Sequence, residues 1–379
     1  MKNNTFFLPV IALLLTILGL FFIWGNKKPR FIVGVIGPLT GPASPYGKAQ
    51  KNGVLLAASI INKSNSAAGR TIEVIPIDDK NDKIVAAEAA RDLIYKKGAF
   101  VIIGAISSDN TMNIQRVCEM AKIPMITAVS TNPFITRVNF SYTFRCLADD
   151  NTQAAELAGL TSGKMNLRRM AIIHDDNKYG SEGARTYKKV AEKLGQQIVA
   201  MEPYSGGASN FRDQIEKIRK FAPDGLVIWG LFRESALILR HAREANLNVP
   251  VFGGDGMALP AFLDLAGPAA ENTVLTYPFD PSRGGLEATK FIESYRKAYQ
   301  EDPDSFAAHG YDAMRLVGMA LANSDGTSEK LRDALIRIKS YDGTIGKGGF
   351  DETGNETRPV QLARVKNGAF NPLPIGEIQ

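Results

Sequence analysis

The chain has 379 residues, about twice the length of a common single domain. It is 45% hydrophobic and 22% charged, values typical of a globular protein with enough apolar residues for two cores. Its formal net charge is +6, but no run of five Lys or Arg residues occurs, and basic residues alternate with acidic ones, as in EKIRKFAPD. This pattern is typical of a solvated surface and argues against a nucleic-acid-binding protein.

The N-terminal segment is strongly apolar. Residues 6–24, FFLPVIALLLTILGLFFIW, carry no charge, and basic residues follow them. The run is just long enough to cross a bilayer as a helix and is long for the core of a signal peptide, and no A-x-A-like site follows it. Residues 1–30 are therefore expected to be an uncleaved membrane anchor or a cleaved signal. Both interpretations place residues 31–379 in the periplasm or on the outer face of the cytoplasmic membrane.

Beyond this segment, short apolar runs alternate with segments that have apolar residues at helical spacing. The predicted strands of a first series are FIVGVI, TIEVIPI, AFVIIGA, IPMITA and YTFRC. After about residue 150 the alternation starts again, with the predicted strands RMAIIHD, QIVAMEP, DGLVIWG, VPVFGG and NTVLTYP. Strands of four to six apolar residues between helices predict a parallel sheet buried on both faces.

Two such series predict an α/β fold of two Rossmann-like lobes with parallel sheets. Three more helical segments and a last strand follow, and this late segment is expected to return to the first lobe. We therefore assign residues 31–149 and about 279–357 to lobe 1, and residues 150–278 and about 358–379 to lobe 2. Several connections would then form a multi-strand hinge. Because ligands of such sheets lie beyond the carboxyl ends of the strands, the loops after the strands are the candidate binding loops.

Motifs for nucleotide binding and catalysis are absent from the sequence. Residues 34–41 read G-x-x-G-x-x-x-G, which is not the dinucleotide pattern, and neither a P-loop nor G-x-S-x-G occurs. The histidines have no metal-ligand spacing to one another or to a cysteine; they are His174, His241 and His309. The sequence thus predicts no catalytic residue, no cofactor and no metal.

The two cysteines lie far apart in the predicted elements. Cys118 is in a predicted helix and Cys146 at a predicted strand end. Two cysteines do not make a disulfide framework, so we expect separate thiols, although an exported compartment permits a bridge.

Hydroxyl groups follow two strands of the first series. In GAISSDNT, Ser107 and Ser108 precede a predicted helix, and in ITAVSTNP, Ser130 and Thr131 follow the next strand. Hydroxyls and free N–H groups at a helix start can bind a carboxylate. Ordinary N-capping or turn formation is the alternative for each pair.

The second series places Tyr179, in HDDNKYG, and Asp255, in GGDGM, after strands. Asp255 is expected to pair with an ammonium group or simply to belong to a glycine-rich turn. The shared placement of these groups after strands of both series indicates a small polar ligand between the lobes.

The segments together resemble the periplasmic binding proteins for leucine, isoleucine and valine, which are type I solute receptors of ABC transporters. The resemblance covers about residues 31–370. It is carried in this order by GPLTGPASPYG, NGVLLAASIIN, IDDKNDKIVAAEAARDLI, GAISSDNT, IPMITAVSTNP, IIHDDNKYGSEGA, ILRHAREANL and YDAM. Their order and spacing are more specific than any one of them.

The resemblance implies roles for individual residues. Ser108, with Ser107 beside it, matches the family's carboxylate-binding serine. The loop of Val129, Ser130 and Thr131 matches the one that supplies a carbonyl and a threonine to the ligand's ammonium and carboxylate groups. An acid that binds the ammonium matches Asp255, and the tyrosines that close over the ligand match Tyr46, Tyr179 and Tyr311.

Two departures concern the ligand's side chain. Leucine-type receptors carry Glu where this chain has Asp255, and Leu231 replaces a pocket tyrosine. The family's disulfide in lobe 1 has no counterpart here, since Ser107 occupies one of its positions.

The resemblance implies an exported, non-enzymatic binding protein. It would close over a branched-chain or aliphatic amino acid, or a related small zwitterion, and deliver it to the permease subunits of an ABC transporter. One alternative is a membrane-tethered sensor domain that acts on a signalling partner, which an N-terminal anchor would favour. Another is an enzyme with its site in the cleft. In each case the loop after the first strand presents Tyr46 to the cleft and holds no phosphate.

Overall fold

A computed structural model describes residues 28–280 and 284–373 of the chain. The predicted membrane segment 6–24 lies outside these residues. Among the helices in the described ranges, none combines the length and the hydropathy that a bilayer span requires.

The first lobe is built on a five-stranded parallel sheet with the strand order β2-β1-β3-β4-β5. Its strands are β1 (Arg30–Gly37), β2 (Thr71–Asp78), β3 (Val101–Ile103), β4 (Met125–Thr127) and β5 (Thr143–Arg145). β1 pairs with β2 on one side and β3 on the other, so successive strands are added outward in opposite directions from β1. Such a switch point leaves a crevice at the carboxyl ends of β1 and β3, where ligands of this fold bind.

The second lobe repeats this order in a seven-stranded sheet, β14-β13-β10-β9-β8-β6-β7. Five strands are parallel: β6 (Arg169–Asp175), β7 (Gln197–Tyr204), β8 (Gly225–Trp229), β9 (Val251–Gly253) and β10 (Val274–Thr276). The strands β11 (Tyr341–Gly343) and β12 (Gly346–Gly348) form a separate hairpin, and β13 (Leu362–Lys366) and β14 (Ala369–Pro372) join the edge antiparallel. All residues of β8 are buried, as expected for a sheet covered on both faces. The second switch point lies between β6 and β8.

Eleven α-helices occur in the described residues, and those of the two parallel series connect the strands. They are α1 (Ser44–Lys63), α2 (Lys83–Arg91), α3 (Ser108–Ala121), α4 (Asp150–Gly159), α5 (Lys178–Lys193), α6 (Arg212–Lys220), α7 (Phe232–Glu244), α8 (Pro260–Ala266), α9 (Gly285–Tyr299), α10 (Ser305–Ala322) and α11 (Ser328–Ile336). Several start close behind a strand at an Asx cap: the side chain of Asn177 accepts from the Gly180 amide, and that of Asp149 from the Thr152 amide. These caps fix where the chain turns at the carboxyl edge of each sheet.

The late segment returns to the first lobe, where α10 packs along α1. The two helices meet at glycines: a Cβ at Gly53 would lie 2.0 Å from the Ala307 carbonyl oxygen, and one at Gly310 would lie 2.4 Å from that of Gln50. The connections after β5, after β10 and before β13 link the lobes. The structure thus confirms the predicted α/β fold of two Rossmann-like lobes, while the boundaries placed within these connections stay a prediction.

The two cysteines are free and buried, as expected. Burial raises the pKa of both the Cys118 and the Cys146 thiols above their ordinary value. Both side chains are therefore unreactive parts of the lobe 1 core.

Because α1 and α10 are in close contact, one added methyl group at Gly53 is expected to lower the stability of the protein. Gly53→Ala places Cβ against the α10 backbone, so we expect the free energy of unfolding to fall by about 1–3 kcal/mol in urea titrations. Gly159→Ala is the matched control, because that helical glycine has open space around it and should gain about 0.5–1 kcal/mol. Equal effects of the two substitutions would contradict the proposed packing.

Candidate functional site

The candidate site is the cleft between the lobes, where the loops after strands of both sheets meet. It has two parts. An outer cleft of about 600 Å³ is lined by the loops after β1, β2 and β3 on one side and β6, β7 and β8 on the other. An inner cavity of about 40 Å³ lies deeper and is also lined by the loops after β4 and β9.

The inner cavity brings together eight of the ten residues that the sequence predicted for the site: Tyr46, Ser107, Ser108, Val129, Ser130, Tyr179, Leu231 and Asp255. Further residues on its wall had no sequence signal that marked them: Ala43, Asn81, Ile106, Asn177, Gly256 and Phe306. The cavity therefore has walls from both lobes.

The lobe 1 wall contains the start of α3. Ser107 is the N-cap residue, but its side chain makes no capping hydrogen bond. Ser108 is 1% exposed, and its Oγ has no hydrogen-bond partner among the described residues. A buried hydroxyl without a partner is costly, and the N–H groups of a helix start attract anions. This wall is suited to a carboxylate.

Ser130 connects two loops of the same wall by hydrogen bonds. Its Oγ donates to the Ile106 carbonyl at 2.9 Å and lies 2.5 Å from the Thr111 hydroxyl, so it ties the loops after β3 and β4 together. Thr131 is buried behind it and is not among the residues that line the cavity. The Thr131 carbonyl accepts from the Asp150 amide at 2.9 Å, which anchors this loop to the start of α4.

The lobe 2 wall contains an acid whose hydrogen-bond donors within residues 28–280 and 284–373 are neutral. Asp255 follows β9 and is 2% exposed. Its Oδ1 accepts from the Tyr179 hydroxyl at 3.0 Å, and that hydroxyl accepts from the Gly256 amide at 3.0 Å. Burial raises the pKa of Asp255 from its ordinary 3.8 to about 6. A cation beside this carboxylate would offset the cost of its burial.

Sequence reasoning missed a second acid close to this wall. Asp150 is fully buried at the start of α4, and burial, together with the charge of Asp255, raises its pKa well above the ordinary value. The sequence signal was the pair of acids after the fifth strand. Asp149 caps the helix, and the sequence does not distinguish Asp150 from a second residue of the same turn. Asp150 does not line the cavity, and its raised pKa favours the neutral carboxyl, so Asp255 is the acid of this wall that faces the cavity.

Tyr46 connects the lobes at the other end of the cavity. It lies in the first turn of α1, and its hydroxyl donates to the Gly256 carbonyl at 2.5 Å and accepts from the Phe232 amide at 2.8 Å. Its ring packs edge-on against Phe232 and Phe306, with centroid distances of 5.6 and 4.8 Å. Tyr46 is one of six residues that line both the inner cavity and the outer cleft; the others are Ala43, Asn81, Ser107, Asn177 and Leu231.

The prediction for Tyr311 needs correction, because the structure places this side chain away from the cavity. Its ring packs against Phe291 with a centroid distance of 4.8 Å, and the Arg315 guanidinium lies 6.0 Å from its centroid. α10 turns this face towards α9 and presents Phe306 to the cavity instead.

No group of three or more His, Cys, Asp or Glu side chains within residues 28–280 and 284–373 is arranged to hold a metal ion. The site so described is an interlobe cleft with an anion-binding wall, an acidic wall and an aromatic boundary. This geometry defines a two-lobed α/β binding protein.

Comparison with known sequences agrees with this class. The family described as periplasmic binding protein matches residues 32–369, so the chain belongs to that family. The chain is 27% identical over 328 residues to the leucine-, isoleucine-, valine-, threonine- and alanine-binding protein of Pseudomonas aeruginosa, covering 85% of this chain and 86% of the relative. It is also 27% identical over 324 residues to the Leu/Ile/Val-binding protein of Escherichia coli K12, covering 85% and 87%.

Solved structures show the same fold. The leucine binding protein LivK from Thermotoga maritima superimposes with a TM-score of 0.85 at 27% identity, covering 91% of this chain and 98% of that one. LivJ from Streptococcus pneumoniae, solved with isoleucine, also gives 0.85, at 25% identity and with 91% and 99% covered. The resemblance inferred from the sequence is thereby confirmed.

The burial of Asp255 predicts a pH-dependent stability. Because its folded-state pKa lies above its ordinary value, its contribution to stability is present below about pH 4 and is lost as pH rises through about 6. Asp255→Asn removes this loss, so urea titrations near pH 8 should show a free energy of unfolding about 3 kcal/mol higher, and little difference near pH 4.

Asp264→Asn, on the exposed side of α8, is the matched control and should change stability little at either pH. A variant of Asp255 that is destabilised near pH 8 would show that the carboxylate is held by stabilising contacts.

Proposed function

We propose that the chain binds an amino acid of the aliphatic type, or a related small zwitterion, in the interlobe cleft and delivers it to the permease of an ABC transporter. The observation that carries this proposal is the pairing of opposite walls. A free serine hydroxyl at a helix start faces the cavity from lobe 1, and a buried carboxylate faces it from lobe 2. A zwitterion has the two charges that these walls require.

In this proposal the ligand carboxylate is bound by the Ser108 hydroxyl and the backbone amides at the start of α3. The ammonium is bound by Asp255, with the Val129 carbonyl and the Thr131 loop beside it. Tyr179 orients Asp255 through its hydroxyl, and Ser107 and Leu231 complete the walls around the ligand. The related proteins support the ligand class. Their names list leucine, isoleucine, valine, threonine and alanine as ligands, and one structure was solved with isoleucine.

Transport requires a closed form that the permease distinguishes from the open form. Contacts across the cleft supply one: the Lys178 amide donates to Asp109 at 2.9 Å, and the Asn132 side chain donates to the Lys178 carbonyl at 2.9 Å. Family membership supports export of the binding lobes. Residues 6–24 would then serve as a cleaved signal or hold the protein at the membrane.

Isothermal titration of the purified full-length protein with L-amino acids tests the proposal. An aliphatic amino acid should bind, and Ser108→Ala should weaken its affinity about 10- to 100-fold because a hydrogen bond to a charged group is lost. Ser294→Ala is the matched control, since Ser294 lies on a lobe 1 groove away from the cleft and should leave affinity unchanged. Absence of binding to any amino acid by the folded protein would refute the proposal.

The acid at the ammonium end predicts a pH dependence of the affinity. Asp255 must be ionised to bind an ammonium group, and its pKa in the ligand-free protein is about 6. The affinity should therefore fall about tenfold for each pH unit below about 6 and be constant above it. Asp255→Asn should weaken binding at least about 30-fold and remove this dependence. An unchanged pH profile in that variant would assign the dependence to another group.

A further inference from the structure

We propose that the edge of lobe 1 opposite the cleft binds a membrane surface with anionic lipid headgroups. The amino ends of the parallel strands β1 to β4 lie at this edge, while their carboxyl ends face the cleft. We call this surface the basal edge; it consists of residues 28–30, 63–71, 95–100 and 120–124. The inference goes beyond the proposed function and does not depend on which ligand the cleft binds.

Backbone hydrogen bonds hold the four segments of the basal edge side by side. Three amides donate to carbonyls of neighbouring segments at 2.9 to 3.0 Å: Thr71 to Pro29, Phe100 to Ile32 and Ile102 to Pro124. Adjacent strands lie about 4.8 Å apart, so the four strand ends span about 14 Å. The segments therefore form one continuous surface.

Basic side chains are concentrated on this surface. Those that are exposed are Lys28, Arg30, Lys63, Lys96, Lys97 and Lys122. Within residues 28–280 and 284–373, no acid lies at ion-pair distance from Lys63, Lys97 or Lys122. These three ammonium groups are free to approach lipid phosphates, and each basic residue near an anionic bilayer adds to the attraction.

The acids of the basal edge are already engaged. Ion pairs of 3.0 Å join Asp92 to Lys96 and Glu73 to Arg30. Glu119 accepts hydrogen bonds from backbone amides of the loop before β5. The basic groups that remain give this surface a net positive charge.

Two large side chains are exposed among these lysines. Tyr95 is 67% exposed in Asp92–Lys96, the helical turn that continues α2, and Met120 is 85% exposed in the last turn of α3. α2 and α3 pack side by side, so the two turns are neighbours. Met120 has the largest exposed fraction of the large hydrophobic side chains in the part of the chain that the structure describes.

The helix macrodipole explains part of this composition, because lysines near a helix C-terminus are stabilising. It does not explain an aromatic ring and a methionine in solvent beside them. Aromatic side chains are enriched at the membrane–water interface, and basic clusters bind anionic headgroups. The combination of both on one surface favours a bilayer as the partner.

The position of the basal edge in the chain points to the same partner. The apolar run 6–24 lies outside the described residues, and its last residue, Trp24, precedes Lys28 by four positions. Four residues span at most about 14 Å, so a chain anchored by this run keeps the basal edge close to the bilayer. Two membrane signals together give stable anchoring where one alone is marginal.

This mode of binding leaves the cleft clear of the membrane. β1 has eight residues and separates the basal edge from the cleft by about 26 Å. Lobe 2 is connected to lobe 1 beyond that distance and remains able to open and close while lobe 1 is held.

The test uses the full-length protein reconstituted in vesicles of phosphatidylcholine, with or without phosphatidylglycerol. A fluorophore is attached at Met120→Cys, where the native cysteines do not compete because they are buried. Ile84→Cys is the matched control, since Ile84 is 65% exposed at the other end of α2, on the cleft side. Spin-labelled lipid should quench position 120 at least about twofold more than position 84, and only when phosphatidylglycerol is present.

Charge reversal tests the role of the lysines. Lys97→Glu combined with Lys122→Glu should abolish the stronger quenching at position 120, and salt at about 1 M should weaken it in the unreversed protein because it screens the charges. Lys188→Glu, on the exposed face of α5 in lobe 2, is the matched control and should leave the quenching unchanged. Melting curves show whether each variant is folded.

Each contrary outcome has a defined meaning. Equal quenching at positions 84 and 120 would overturn binding through the basal edge. Stronger quenching at position 120 in phosphatidylcholine alone would overturn the recognition of anionic headgroups. An emission shift without quenching by lipid would assign this surface to a second copy of the chain. None of these results bears on ligand binding in the cleft, so the proposed function stands or fails separately.

Discussion

The central physical constraint is the burial of the Asp255 carboxylate, which has no cationic partner in the part of the chain that the structure describes. Its hydrogen-bonding neighbours are neutral, and closure of the cleft removes the water that would otherwise solvate it. A charged carboxylate in such a place raises the free energy of the closed form, while its protonation at lower pH reduces this cost. An ammonium group supplied by a ligand has the same effect near neutral pH. In the proposed function, ligand binding and lobe closure are coupled through this group, because a bound ammonium stabilises the closed form more than the open form.

Other parts of the cleft support closure without supplying charge. The Tyr46 hydroxyl is satisfied entirely by backbone groups of lobe 2, and Lys178 uses its backbone amide and carbonyl rather than its ammonium group. These contacts set the register of the lobes but leave the acid uncompensated. The interlobe hydrogen bonds and the buried charge thus come from different residues. The closed form can therefore have a defined geometry and still need a ligand to be stable.

The sequence predicted most of the fold, because parallel strands buried on both faces have a pattern that needs no tertiary information. It also located Ser108 and Asp255, since polar groups directly after such strands must lie at one edge of the sheet. The same placement indicated Tyr179, whereas the role of Tyr46 came from the resemblance.

The sequence failed where long-range packing decides the outcome. Tyr311 lies on a helix that is almost wholly buried, so periodicity could not tell which of its apolar faces meets the cleft, and Phe306 occupies that face. The sequence did not mark Asp150 as a buried acid, because it directly follows the helix-capping residue Asp149. The partners of Tyr46 are 186 and 210 residues away along the chain, a separation at which single-sequence patterns carry no pairing information.

The division between inner cavity and outer cleft explains why a head-group site and a side-chain preference need not change together. The residues proposed to bind the charged groups of the ligand lie in loops after β3, β4 and β9, and their positions are set by the ends of buried strands. The boundary on the side-chain end comes from the first turn of α1 and from Leu231 before α7, where a substitution alters the space without moving a strand. A substitution at these positions therefore changes the shape of the cleft while the loops after the buried strands keep their places. In this chain Tyr46 of lobe 1 also makes the hydrogen bonds to lobe 2, so a substitution there alters the shape of the cleft and the closing contacts together.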